Sequence, residues 1–219
     1  MSKDNASMEI KKTRYNVLGP KMVEVMNKKD YEAYYCSTCE EALEKALELI
    51  PSDAVTGYGG CLSMNAIGLK EAIRTHCKKV LDRDLAPNMD VKREIERETF
   101  KADWFITGCN AISEDGQMVN IDGYGNRVAA LAFGPKNVLV ICGLNKVCKT
   151  LEDAVHRAKN IAAPANAARF PQYDLPCTKT GMCANCNSHD CICSTVTITR
   201  RCWPANRIKV IFIGEDLGL

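Results

Sequence analysis

The chain has 219 residues, 46% of them apolar, which is enough to bury one sizeable core. Its 29 lysines and arginines nearly balance 27 aspartates and glutamates, leaving a formal charge of +2. That charge offers no strong field for nucleic acid or anionic lipid, so neither is expected as a partner. No stretch approaches the roughly 18 apolar residues of a membrane span, and the start MSKDNASMEIKKTRYNV has no apolar signal-peptide centre. Thirteen cysteines, an odd number, make a poor disulfide framework, so a reducing cytoplasm is the expected compartment.

In chain order, residues 6–29 carry helical periodicity, with Met8, Ile10, Val17, Met22 and Val23 as apolar contacts. The interruption at Gly19-Pro20 predicts two helical pieces or one kinked helix. Ser37-Thr38-Cys39-Glu40-Glu41 is a capping-box signature for a helix that Pro51 stops. A short strand at 54–56 leads through a glycine loop into a helix over 62–75, followed by a strand at 79–81. Asp90 is placed to cap a helix running to about Thr99. Residues 104–107 form a strand, and Asp115-Gly116 marks a hairpin turn between strands around 111 and 120. A helix over 125–133 closes at Gly134-Pro135, and Val138–Cys142 is apolar enough to be covered on both faces. Thr150 caps a helix reaching Ile161, and strands at 196–199 and 208–213 flank a turn. Alternation of this kind predicts an α/β fold with a mostly parallel sheet, whose ligands sit beyond the carboxyl ends of the strands. The expected organisation is a helical segment over 1–29 and one domain over 30–219. A cysteine-rich loop, 177–202, is inserted before the last strands.

Four constellations carry chemistry. Thr56-Gly57-Tyr58-Gly59-Gly60-Cys61-Leu62-Ser63 joins a strand to a helix, where glycines let backbone approach a ligand and opening N–H groups favour a phosphate or carboxylate. It matches neither a dinucleotide fingerprint nor a P-loop, and an ordinary tight turn is the competing reading. Thr107–Ile112 and Asn120–Arg127 place Asn110, Asn120, Asp122, Asn126 and Arg127 around flexible points. Asp122 is the candidate general base and Arg127 a bidentate anion clamp, unless these polar groups merely satisfy turn backbone. Lys146, just after the apolar strand, is either a further anion contact or a solvated lysine. Lastly Cys177, Cys183, Cys186, Cys191, Cys193 and Cys202 crowd together around His189. Thiolates at these separations suit Zn²⁺ or an iron–sulfur cluster, with reduced thiols or a redox pair as the alternative. Cys36-x-x-Cys39 is incidental, His76 and His156 are structural, and the seven cysteines before residue 150 are mostly small buried side chains.

Several blocks resemble the LUD-domain (lactate-utilization) family. They are Gly59–Ser63 with Ile67-Gly68-Leu69, Val80–Asp84, Ala102–Gly108, Asn110-Ala111-Ile112, Val119–Ala130, Phe133–Lys136, Asn145-Lys146-Val147 and Ile161–Asn166. The tail, Pro176–Cys183, Cys186, Ile192-Cys193 and Glu215–Gly218, resembles the short single-domain branch. The resemblance implies a three-layer α/β sandwich of the NagB/RpiA/CoA-transferase type, Rossmann-like in its sheet. It implies an anionic small molecule held by Gly59, Gly60, Cys61, Ser63, Asn110, Asn120, Asn126, Arg127 and Lys146. Asn110 stands where some relatives carry an aspartate, which leaves Asp122 as the base. It further implies a role in lactate or 2-hydroxy-acid utilization beside iron–sulfur oxidoreductase subunits, as a homo-oligomer. Cys177, Cys183, Cys186 and Cys193 match the family pattern as metal ligands, with Cys191 as an alternate. The competing readings are a metal-bearing regulatory or electron-transfer module, and an isomerase or acyl-CoA transferase.

Overall fold

The computed structural model describes residues 3–219, with side chains from Glu9 onward; Met8's side chain therefore lies outside the described residues. Helix α1 (Lys3–Asn27) runs unbroken through Pro20. Its Gly19 is forced by packing, since a Cβ there would lie 2.2 Å from the Tyr35 ring. The helix buries Tyr15, Met22 and Met26 on one stripe, whereas Ile10 and Val17, expected as contacts, are exposed. Strand β1 (Glu32–Cys36) follows, an element the sequence pattern did not announce.

Helix α2 (Cys39–Leu49) has the expected cap: Thr38 Oγ1 accepts from the Glu41 amide, and the Glu41 carboxylate accepts from the Ser37 amide at 2.7 Å. After β2 (Val55–Tyr58), the single expected helix is two, α3 (Leu62–Ala66) and α4 (Leu69–His76), because Gly68 takes a left-handed φ of 74° between them. Strand β3 (Lys79–Leu81) precedes α5 (Met89–Glu98), whose cap is Asn88, not Asp90; the Asn88 side chain accepts from the Val91 amide at 2.9 Å.

Strands β4 (Trp104–Gly108), β5 (Ala111–Ser113) and β6 (Met118–Asp122) come next, the last two forming the expected antiparallel hairpin. Helix α6 (Asn126–Phe133), strands β7 (Asn137–Gly143) and β8 (Val147–Cys148), and helix α7 (Leu151–Arg157) continue the chain. A wide π-turn at Ala158–Ala162 joins α7 to α8 (Ala163–Ala167). Helix α9 (Pro176–Thr180) leads into the cysteine loop, then β9 (Thr195–Thr199) and β10 (Ile208–Ile213).

Among the described residues, six strands form one all-parallel sheet in the order β1-β10-β7-β4-β2-β3. Alternate residues of β7 enter opposite cores. Val138, Val140 and Cys142 pack with Met22 and Met26 of α1 and Leu131 of α6. Leu139 and Ile141 pack with Ala46 of α2, Met64 of α3 and Ile73 of α4. The sheet is thus covered by helices on both faces, the three layers expected for an α/β sandwich. The last two strands do not flank a simple turn. Strand β10 enters the middle of this sheet, while β9 pairs with β6 in a second, mixed sheet of order β8-β5-β6-β9. No helix among the described residues is long and apolar enough to cross a membrane.

Candidate functional site

The carboxyl ends of β2, β4 and β6 and the turn after β7 open onto a cleft of about 400 Å³. Gly59, Gly60, Cys61, Asn110, Asp122, Asn126, Arg127 and Lys146 all line it, so loops distant in sequence meet there. Ser63 and Asn120 do not reach the wall; both are buried behind it. Gly59 is required by its neighbour, since a Cβ would lie 2.8 Å from Arg127 Cγ. Gly60 faces open space, with nothing within 4 Å of where its Cβ would stand. The Cys61 sulfur caps α3 by accepting from the Met64 amide at 3.3 Å, and burial pushes its thiol pKa up.

Two of these side chains are held by the fold itself. Arg127 spends its guanidinium on the protein: Nη1 donates to Gly108 O (3.2 Å) and Asn120 Oδ1 (2.7 Å), and Nη2 to Asn110 Oδ1 (3.1 Å) and Ile121 O (2.6 Å). Its Nε lies 3.6 Å from Asp122. With both terminal nitrogens donating twice to the protein, Arg127 clamps the β4 and β6 loops together and has no free fork for a ligand. Asp122 follows the turn reading weighed against catalysis. Its Oδ1 accepts from the Gly125 amide at 3.2 Å and its Oδ2 from the Val128 amide at 3.3 Å, fastening the start of α6. Asn110 Oδ1 similarly accepts from the Ile121 amide at 2.9 Å.

Lys146 is different. It is only 4% exposed, yet it lines the cleft. Its Nζ donates to Ser63 Oγ at 3.1 Å and Cys109 O at 3.2 Å, which leaves one of three N–H bonds unused. Among the described residues no carboxylate lies within ion-pair distance of it. Arg157, on α7, donates to Asn110 O and to Leu219 O. Three successive carbonyls, of Gly108, Cys109 and Asn110, are therefore each held by a cation: Arg127, Lys146 and Arg157. Further out, Arg83, Lys92, Arg93 and Arg169 join the rim, so six basic side chains line the cleft against two carboxylates, Asp84 and Asp122. The Arg93 guanidinium stands 3.4 Å over the exposed Tyr124 ring. Arg157 carries no local motif, and Cys109, at the cleft floor, reads from sequence as an ordinary buried thiol.

In the tail, Cys177, Cys183, Cys186, Cys191 and Cys193 surround a separate cavity of about 480 Å³. Cys202 is not among them; it sits in the main core, where its sulfur accepts from the Ile208 amide. The closest tail pair is Cys191 and Cys193, with sulfurs 3.3 Å apart. Among the described residues no three His, Cys, Asp or Glu side chains converge on a point where they could hold a metal ion. As folded here, the tail thiols share a cavity without composing a metal centre.

The family model for the LUD domain matches residues 19–213. Among solved structures, a DUF162 family protein from Deinococcus radiodurans is similar over 92% of this chain and 98% of its own, with 14% identity and a TM-score of 0.49. Ribose 5-phosphate isomerase A from Neisseria gonorrhoeae is similar over 52% of this chain and 56% of its own, with 20% identity and a TM-score of 0.33. No curated protein matches the chain.

Proposed function

This chain belongs to the LUD-domain family, and we propose that its cleft binds a small carboxylate, a 2-hydroxy acid such as lactate, as a cytoplasmic component of lactate utilization. One observation carries the reading: Lys146 is a buried cation at the cleft floor with no carboxylate beside it and one donor to spare. An uncompensated buried charge is costly, and a bound carboxylate would supply the missing partner. Arg83, Arg93 and Lys92 at the rim are paired with Glu96 or Asp84, so the rim cation that favours the same sign of ligand is Arg169, which has no carboxylate partner among the described residues. Arg127 and Asp122 then act as positioning residues that hold the Asn110 loop in place, and Asn110, Asn126 and the Gly60 backbone complete the polar wall. Iron–sulfur oxidoreductase subunits are the partners that lactate oxidation would require.

Calorimetric titration of lactate, coenzyme A and nucleotides against the wild type and Lys146→Met tests the reading. A hydrogen bond to a charged group contributes about 1.5–3 kcal/mol, so lactate affinity should fall roughly ten- to a hundredfold in a variant that still melts cooperatively. Failure of any carboxylate or phosphate to bind the wild type would remove the proposal. A second reading concerns the tail, where five thiols around one cavity support a metal ion or cluster formed after a small rearrangement. Elemental analysis of anaerobically purified protein should then find about one equivalent of zinc, or of an iron–sulfur cluster. A metal-free, fully folded protein excludes it.

A further inference from the structure

Two thiols lie at and beneath the cleft floor with no part in carboxylate binding. Strands β4 and β7 pair in parallel with Gly108 opposite Ile141, so Cys109 and Cys142, each one residue further on, are cross-strand neighbours. Both side chains enter the same core. Their sulfurs are 3.4 Å apart. A disulfide bond is about 2.05 Å long, so closure requires about 1.4 Å of approach, a modest adjustment of two side chains. Their positions are unequal in a useful way: Cys109 lines the cleft, whereas Cys142 is wholly buried behind it. Cys109 is therefore the nearer of the two to a small reagent in the cleft, with the Cys142 sulfur within reach behind it. The sulfur–sulfur contact with Cys142, together with the charges of Lys146, Arg157 and Arg127, holds the Cys109 thiol below its ordinary value. The same contact and burial push Cys142 up.

We propose that Cys109 and Cys142 form a redox-active dithiol site that takes a small hydroperoxide through the cleft. The Cys109 thiolate attacks the peroxide's terminal oxygen; the O–O bond breaks, hydroxide (or alkoxide) leaves, and Cys109 becomes a sulfenic acid. The Cys142 sulfur then attacks the Cys109 sulfur, the S–O bond breaks, and water departs with the Cys142 proton. Two thiols are oxidised to one disulfide while one peroxide is reduced to water and water or an alcohol. The dithiol does not rest on the carboxylate reading, since it depends on the sulfur separation, the approach to Cys109 through the cleft and the surrounding cations.

The native full-length protein, treated with dilute hydrogen peroxide, alkylated and digested with trypsin, tests this directly. Tryptic peptides 102–127 and 137–146 each contain one cysteine, Cys109 and Cys142 respectively, so their cross-link is unambiguous by mass. The linked pair should accumulate at least roughly tenfold faster than the loss of free Cys202, a core thiol outside the cleft, and should revert with dithiothreitol. In Cys142→Ala, Cys109 should instead be trapped as a sulfenic acid that a cyclic 1,3-dione labels. Peroxide that oxidises the tail cysteines while leaving peptides 102–127 and 137–146 unlinked would overturn the site, as would an unlabelled Cys109 in folded Cys142→Ala.

Discussion

At the residue scale, the two glycines of the first loop have opposite reasons to be glycine. Gly59 leaves room for the Arg127 stem, and that stem cannot retreat because its head is pinned by four oxygens. Gly59→Ala should therefore destabilise the fold by about 1–3 kcal/mol, the usual cost of overpacking a fixed neighbour. Gly60 faces open space, so Gly60→Ala should leave stability within about 0.5 kcal/mol while its methyl group intrudes on the cleft. Urea unfolding of both variants, paired with lactate titration, separates these effects; equal stability losses would refute the assignment. The same contrast shows what could be seen in advance. The glycine loop, Asn110, Asp122, Arg127 and Lys146 were identifiable because polar residues beside strand-end glycines are dense there. Their roles were not, because donor direction is set by tertiary contacts: only the fold shows that Arg127 points inward and that Lys146 keeps a free donor.

At the scale of elements, local signals succeeded where the partner was local. Thr150 and Asp153 cap α7 reciprocally, and Thr38 with Glu41 caps α2, each within one turn of sequence. The division of Leu62–His76 at Gly68 was missed because its helical apolar spacing continues across the break. Strand β1 was missed because a five-residue segment between two helices carries little periodicity of its own. Long-range capping is invisible to such patterns altogether. Arg207, buried beside β10, donates to the carbonyls of Ala130 (3.1 Å), Leu131 (2.7 Å) and Pro135 (3.0 Å), closing the far end of α6 from more than seventy residues away. A cation there also complements the helix terminus. Arg207→Met fills the volume but leaves the buried Leu131 and Pro135 carbonyls without this donor, while Ala130 O keeps only the Gly134 amide, and should cost about 2–4 kcal/mol. The midpoint of urea unfolding reports the loss, and a change below that of an ordinary surface substitution would mean that water replaces the guanidinium.

At the scale of the molecule, the strand–helix alternation made a helix-covered parallel sheet legible, but not the destination of the last two strands. Strand β10 is apolar and short, and nothing local distinguishes insertion between β1 and β7 from pairing with β9. The consequence is that the chain's last described residues reach several parts of the fold. Beyond β10, Glu215 accepts from the Cys39 amide at the start of α2, and the Leu217 amide donates to Asn145 Oδ1 beside the cleft. Asp216 accepts from Tyr15 at 2.5 Å and from Lys11 at 2.7 Å, joining this segment to α1. Burial alone would raise the Asp216 pKa, but these two donors outweigh it and hold the carboxyl below its ordinary value of 3.8. A carboxyl whose folded pKa is depressed adds stability that is fully present above its unfolded pKa and is lost as pH falls through the folded one. Asp216→Asn should accordingly cost about 1 kcal/mol at neutral pH, a modest figure because the pair is half-exposed. That difference should hold constant down to about pH 5 and shrink below about pH 4. Urea unfolding of both proteins at pH 7, 5 and about 3 measures it; a difference that persists undiminished at the lowest pH would show that Asp216 holds α1 through packing and not through charge.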